Sequence, residues 1–272
     1  MNSSSLPTVD SPVRNKRPGR LRSAIAPILS LGLSFFLLLA IWYGFSLLFA
    51  SPLFPDPFTV ARKALELLAD GSLLNNTWVS MLRILTGFTI GSAIGVPLGL
   101  LMGSFKPVKQ LLEPWTEFLR FIPATAMITT AVIWFGIGEG SKIFLLIYTT
   151  VFIVILNTAA GVRSISPNKI RAAQALGATK AQIFFLVAFP ATVPFILTGM
   201  RLAMANAFTT IVAAEMVSAD MGLGVMIWSG RMFMLVDDIF VALVTLGLLG
   251  FLTDRLFRLG IYRFARRYAP VI

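Results

Sequence analysis

Six stretches of this chain are apolar for long enough to cross a lipid bilayer, and nothing else in the sequence restricts its fold as strongly. They run over about 28–50, 79–103, 118–136, 142–161, 195–217 and 236–258. The hydrocarbon layer offers a backbone amide no water, so a spanning segment of about 20 residues must satisfy its own polar groups as a helix. The expected fold is an all-α membrane protein with six transmembrane helices. Composition points the same way, since 57% of the residues are hydrophobic and 13% charged, against roughly a quarter charged in a soluble domain.

The side-chain inventory narrows the chemistry. There is no Cys and no His, which excludes disulfides, thiolate metal sites and a cysteine nucleophile, and removes the commonest general base. No G-x-x-x-x-G-K-[ST] phosphate loop is present, so the chain holds no nucleotide in the Walker manner. The carboxylates sit in loops and at helix ends rather than in a cluster. The reading is a non-catalytic chain with no cofactor or metal of its own.

A net charge of +11 does not mark a nucleic-acid binder here, because the basic residues bracket the apolar runs. Arg14, Lys16, Arg17, Arg20 and Arg22 precede the first run, and Arg263, Arg266 and Arg267 follow the last. Placing the N-terminus inside makes 104–117 and 162–194 interior loops, with Lys106, Lys109, Arg163, Lys169, Arg171 and Lys180, and Arg120 at the edge of the first. The exterior loops hold only Arg62, Lys63, Lys142 and Arg231. That asymmetry is the positive-inside pattern, with both termini cytoplasmic. Residues 1–24 read as a disordered basic tail, 25–260 as the membrane domain, and 261–272 as a second basic tail. The run at 28–50 exceeds the roughly 7–15 apolar residues of a cleaved leader, so it reads as a first membrane helix.

Within the second run Gly87, Gly91, Gly95, Gly99 and Gly103 recur every fourth residue, a spacing that lets another backbone approach closely in lipid. Each step of four overshoots a full helical turn by about 40°, so the stripe winds and serves more than one neighbour; Pro97 adds a kink. Residues 56–71 read as a short amphipathic helix at the outer interface, with Val60, Ala64, Leu67 and Leu68 on one face. Arg83 and Arg201 lie near helix ends, from which their side chains snorkel to the interface. Glu215 and Asp220 fall near an exterior end, and Asp237 and Asp238 begin the last helix, with no mid-membrane carboxylate relay. Asn206, Thr209 and Thr210 in the fifth run either line a pathway or bond between helices.

The stretch 162–194 is too regular for a connector. Ser166-Pro167 starts a helix that runs to about 176 and stops at Gly177. Thr179 and Gln182 fit a capping box for a second helix, and Pro190 and Pro194 limit or bend the chain beyond it. The first helix carries Ile170, Ala173 and Leu176 at helical spacing, is slim at Ala172, Ala173 and Ala175, and is rimmed by Lys169, Arg171 and Lys180. That pattern fits a groove on another protein and equally a bed of lipid headgroups.

The register Ala172, Ala173, Gly177 and Phe189-Pro190 resembles the EAA loop of permease subunits of bacterial ABC importers. Arg171 stands where that pattern has glutamate, and Phe189 where it has leucine. "LRILTGFTIGSAIGVPLGLLMG" (82–103), "WFGIGEGSKIF" (134–144) and "LTGMRLAMANAFTTIVAAEM" (197–216) look like the nitrate, sulfonate, taurine and bicarbonate branch. The resemblance implies a six-transmembrane-helix type I importer permease fold in the bacterial inner membrane, with 162–194 as cytoplasmic coupling loop. It implies a second permease copy, two cytoplasmic ATPase subunits binding ATP and Mg²⁺, and an extracytoplasmic solute-binding protein. Ile170, Arg171, Ala172, Ala173, Leu176, Gly177 and Pro190 then serve ATPase coupling, and Asn206, Thr209 and Thr210 the pathway of a small oxyanion or sulfonate. The alternative is a secondary transporter or channel independent of ATP, which predicts intramembrane charge pairs or inverted repeats.

Overall fold

The computed structural model describes residues 20–49 and 51–264, which are helical almost throughout. The chain divides at Pro57 into two units. The first contains α1 (Arg20–Phe49), which begins inside the stretch read as a tail; residues 1–19 and 265–272 of the two expected tails lie outside the described residues. The Trp42 indole N–H donates to the Pro55 carbonyl at 3.1 Å, and Phe49 packs on Phe45 and Phe54, folding the segment after α1 back along it. Phe36, Leu47 and Leu48 point outward, as lipid-facing positions do.

The second unit is a helical bundle. α2 (Pro57–Ala69) is the short amphipathic helix expected there, with Val60 buried. Gly71, at φ +79°, turns the chain into α3 (Ser72–Ser104), and the Asp70 carboxylate accepts from the Ser72 N–H at 2.8 Å. Hydrogen bonds from Ser72 hold the Asp70 carboxyl below the usual carboxylate range. α6 (Glu139–Arg163) lies between α3 and α9 (Phe189–Ser218). Ile84 and Phe88, Leu146 and Val154, and Ala203, Met204, Ala207 and Ile211 from these three helices form the main core. α10 (Leu223–Met232) and α11 (Val236–Phe264) pack against each other and α9.

All five stripe glycines face one partner, α6, rather than several. A methyl group added at Gly91 would lie 2.7 Å from the Thr150 Cβ, at Gly95 2.9 Å from Val154, at Gly99 2.6 Å from Thr158 and at Gly103 2.6 Å from Val162; Gly87 meets Leu146 in the same way. The partner residues also recur every fourth position and ascend with the glycines, so the two helices run parallel. Both stripes drift in the same sense, and a period longer than 3.6 keeps them in contact through a right-handed wrap. α3 stays helical through Pro97.

The third apolar run is not one helix. It divides into α4 (Lys106–Leu119), which fills the expected loop at 104–117, a turn, and α5 (Ile128–Phe135). Pro123 in the turn has no N–H to continue a helix and biases the preceding residue away from helical geometry. The carbonyls freed there find a donor on α6, since the Tyr148 hydroxyl donates to the Leu119 carbonyl at 2.6 Å and lies 3.3 Å from that of Ile122. Five described segments, Gly32–Phe49, Ser72–Ser104, Glu139–Arg163, Lys180–Ser218 and Val236–Ile261, are long and apolar enough to cross a membrane unbroken.

α7 (Pro167–Ala175) and the four-residue α8 (Lys180–Ile183) form the helix pair between α6 and α9. Ser166 stands at the N-cap without a side-chain bond, so Pro167 at the first turn is the effective start signal. At the other end Gly177 has φ +78°; its N–H donates to the Gln174 carbonyl, and the Ala178 N–H to that of Ala173. This is a Schellman stop. The Thr179–Gln182 capping box is present in both directions. The second helix of the pair is not separate, however. It continues through a π-turn at Phe184–Ala188 straight into α9. Pro190 comes just after that turn and Pro194 sits inside α9, whose run is unbroken. The wider turn absorbs the hydrogen bond that Pro190 cannot donate.

Candidate functional site

A cavity of about 470 Å³ opens between the α4–α5 turn, the middle of α6 and the middle of α9. It gathers Asn206, Thr209 and Thr210 with Arg120, Thr125, Tyr148 and Thr149, on walls supplied by Phe121, Phe152 and Leu156. The break in the third run therefore positions the site, because it turns Arg120 and Thr125 toward α6 and α9. The Asn206 amide donates to the Leu202 carbonyl at 3.0 Å and the Thr209 hydroxyl to that of Asn206 at 2.8 Å. Both bond within their own helix, not across to another, and both are exposed; Thr210 is buried. Arg120 is exposed, its guanidinium 4.6 Å over the Phe121 ring, and it has no acidic partner among the described residues. In the sequence it reads only as a charge at a loop edge.

A second cluster lies at the end of the bundle where α3 and α6 begin. The Arg83 guanidinium binds the Glu139 carboxylate through two parallel bonds of 2.6 and 2.7 Å and the Glu215 carboxylate through a third of 2.8 Å. Its third acceptor is the Met221 carbonyl. The Ser80 hydroxyl lies 2.8 and 2.9 Å from the Glu215 oxygens and accepts from the Leu223 N–H, while the Gly224 N–H donates to Glu215 at 2.9 Å. Gly222, at φ +134°, leaves room for that carboxylate, which a side chain there would strike. Lys142, expected in an exterior loop, is buried and pairs with Glu139 at 3.0 Å.

Arg83 thus does not snorkel. Its partners stand 56 and 132 positions away, and a fully bonded, neutralised cluster is the condition under which such charges survive burial. Arg201 is likewise paired, with Asp254 of α11, which also holds Arg258. Charge pairs between membrane helices therefore exist, although neither partner reveals them from its own stretch of sequence.

The slim helix α7 presents Arg171, Ala172, Leu176 and Gly177 to the exterior, with Leu176 88% exposed, while Ile170 and Ala173 are half-buried.

Comparison with known proteins gives the context. Residues 95–267 match the family model described as binding-protein-dependent transport system inner membrane component. The chain is 41% identical over 202 residues, 74% of its length and 82% of the other, to a probable ABC transporter permease protein of Brucella melitensis. To the taurine transport system permease protein of Escherichia coli it is 37% identical over 249 residues, 89% of each chain. To the nitrate import permease protein of a Synechocystis it is 33% identical over 186 residues, 68% of each. Among solved structures it matches a chain of the MetNI methionine ABC transporter with TM-score 0.60 at 19% identity, covering 72% of this chain and 94% of that one.

Proposed function

Because the chain belongs to the family of binding-protein-dependent transport inner membrane components, a multi-pass ABC permease of the taurine, sulfonate, nitrate and bicarbonate branch with the type I importer fold, we propose that it forms the translocation pathway of an ATP-driven importer for a small oxyanion or sulfonate. The observation that carries this reading is the cavity holding Arg120 over Asn206, Thr209 and Thr210. A guanidinium at mid-bundle costs about 2.5–3.5 kcal/mol to insert in lipid, and it has a use in a water-filled passage for anions, where it offsets the dehydration of a negative solute. The hydroxyl and amide groups opposite accept and donate without binding tightly, as a passage requires.

In this scheme two copies of the chain enclose the pathway, and the basic ends of the helices face the cytoplasm. Two partner subunits bind ATP and Mg²⁺, and this chain catalyses nothing. An extracytoplasmic protein delivers taurine, an alkanesulfonate, nitrate or bicarbonate. α7 is the coupling element: Ile170 and Ala173 root it to the chain, Arg171, Ala172 and Leu176 enter a groove on the ATPase, and the Gly177 stop keeps it short. Its motion passes through α8 and the π-turn before Pro190 into α9, which carries the pathway residues. Such coupling needs an element with two packed arrangements.

Reconstitution tests this. Proteoliposomes containing the chain with its ATPase subunits are expected to take up solute only with ATP on the ATPase side and the loaded binding protein on the other. Uptake at full rate without ATP, the behaviour of a secondary transporter, would sink the proposal.

A further inference from the structure

We propose that Arg83 and Lys142 form an oxyanion cradle that the Glu139 carboxylate occupies, and that a solute oxyanion enters the cradle by displacing that carboxylate. The two acidic groups on Arg83 are not equivalent. Glu215 is completely buried and held by Arg83, Ser80 and the Gly224 N–H, so it is a permanent counter-ion for one edge of the guanidinium. Glu139 takes the other edge in the fork-to-fork arrangement, Nε to Oε2 and Nη2 to Oε1, and shares Oε1 with Lys142. Its side chain is 55% exposed, against 7% for Arg83 and 3% for Lys142. Two buried cations thus share one carboxylate that reaches them from the solvent side.

The anchorage of Glu139 allows it to leave. It is the first residue of α6, preceded by Gly136 at φ +76° and by Gly138, both in open space. A cavity of about 550 Å³ lined by Arg83, Thr86, Glu139, Lys142, Ser218 and Asp220 opens beside it, enough for a small oxyanion and its tail. Departure without replacement is strongly unfavourable, because Lys142 has no other acidic partner among the described residues and a buried unpaired ammonium is costly. Departure in exchange for an oxyanion conserves charge, and two oxygens of a sulfonate, nitrate or bicarbonate reproduce the paired bonds to the guanidinium edge. The cluster therefore yields to an anion and resists everything else. Asp220 at the same cavity disfavours polyanions.

The choice of solute rests on the importer reading, but the cradle is tested without ATP, partner subunits or transport. The full-length chain in nanodiscs of zwitterionic lipid is titrated with methanesulfonate, a monoanion, at constant ionic strength, and the thermal unfolding midpoint is followed. Wild type is expected to show a saturable rise, E139A to half-saturate at about tenfold lower methanesulfonate, and E139A/K142M to lose the rise. E139Q, which preserves volume, carries the same measurement if E139A is not recovered. Identical methanesulfonate dependence in wild type and the Glu139 variants overturns the cradle. A response in the variants with none in wild type at any concentration overturns the displacement. Loss of ATP-driven uptake by the assembled transporter bears on the importer reading alone.

Discussion

Gly99 of α3 and Thr158 of α6 stand so close that a methyl group on Gly99 would lie 2.6 Å from the Thr158 Cβ and 2.7 Å from the Ile155 carbonyl oxygen. A side chain can be repacked by a rotamer change; a carbonyl in a helix has nowhere to go. Gly99→Ala is expected to destabilise the folded chain by about 1–3 kcal/mol, the usual cost of overpacking. Gly247→Ala, at a position with open space around it, is expected to leave the thermal midpoint in detergent unchanged. Equal midpoints for the two variants would contradict the close-contact account.

Gly177 ends α7 at φ +78° with nothing within 4 Å of where a Cβ would be. Conformation, not space, is what a side chain there violates, at about 1–2 kcal/mol. Gly177→Val should unwind the end of α7 and reduce co-purification of the ATPase subunits, while membrane insertion of the chain stays at the wild-type level. A full complement of ATPase on the purified variant, with normal uptake, would remove α7 from the coupling role.

Among the described residues Arg120 makes no ion pair that its loss would strand. Its contact with the Phe121 ring is worth about 0.5–1 kcal/mol at an exposed position. Arg120→Gln should therefore accumulate normally yet lower ATP-driven solute uptake by about tenfold or more, with Arg120→Lys retaining part of the rate. Unchanged uptake in Arg120→Gln would separate the cavity from the pathway.

The Arg201–Asp254 pair joins α9 to α11, each side chain about one-third exposed. Asp254→Asn leaves Arg201 and Arg258 without their shared carboxylate and is expected to destabilise by about 1 kcal/mol, a modest figure because the pair is partly accessible. The double variant Arg201→Met/Asp254→Leu should recover most of that loss, and a thermal-shift comparison of the three chains decides it.

The helical class, the glycine stripe and the signals at Gly177 and Thr179–Gln182 are local properties, and each is legible from spacing alone. Asn206, Thr209 and Thr210 are also legible, as polar groups on an apolar helix, but their destination is not. The residue that assembles them into a site is Arg120, delivered by a chain break at Pro123 that an apolar-window count passes over. The same blindness explains Arg83. From its own helix it is a charge near an end; only the fold brings Glu139, Glu215 and the Met221 carbonyl around it. Lys142 is misplaced for a related reason, since a lysine at the start of an apolar run looks like a loop charge until Glu139 is seen to hold it. The several neighbours expected for the stripe reduce to one, because its winding holds for a straight helix, whereas α3 and α6 wrap together.

The π-turn at Phe184–Ala188 sets how a movement of α7 would reach α9 under the proposed coupling. A turn with one residue too many is an angular offset of about 100° between the helix on either side of it. The face that α8 shows to α7 and the face that α9 shows to the bundle are consequently set by separate stretches of sequence. Removing that one residue would not shorten the connection by a meaningful length; it would index the whole α7–α8 end around the axis of α9. Under the proposed coupling the part would act less like a push-rod than like a key shaft, in which alignment, rather than reach, determines whether a movement at one end turns anything at the other.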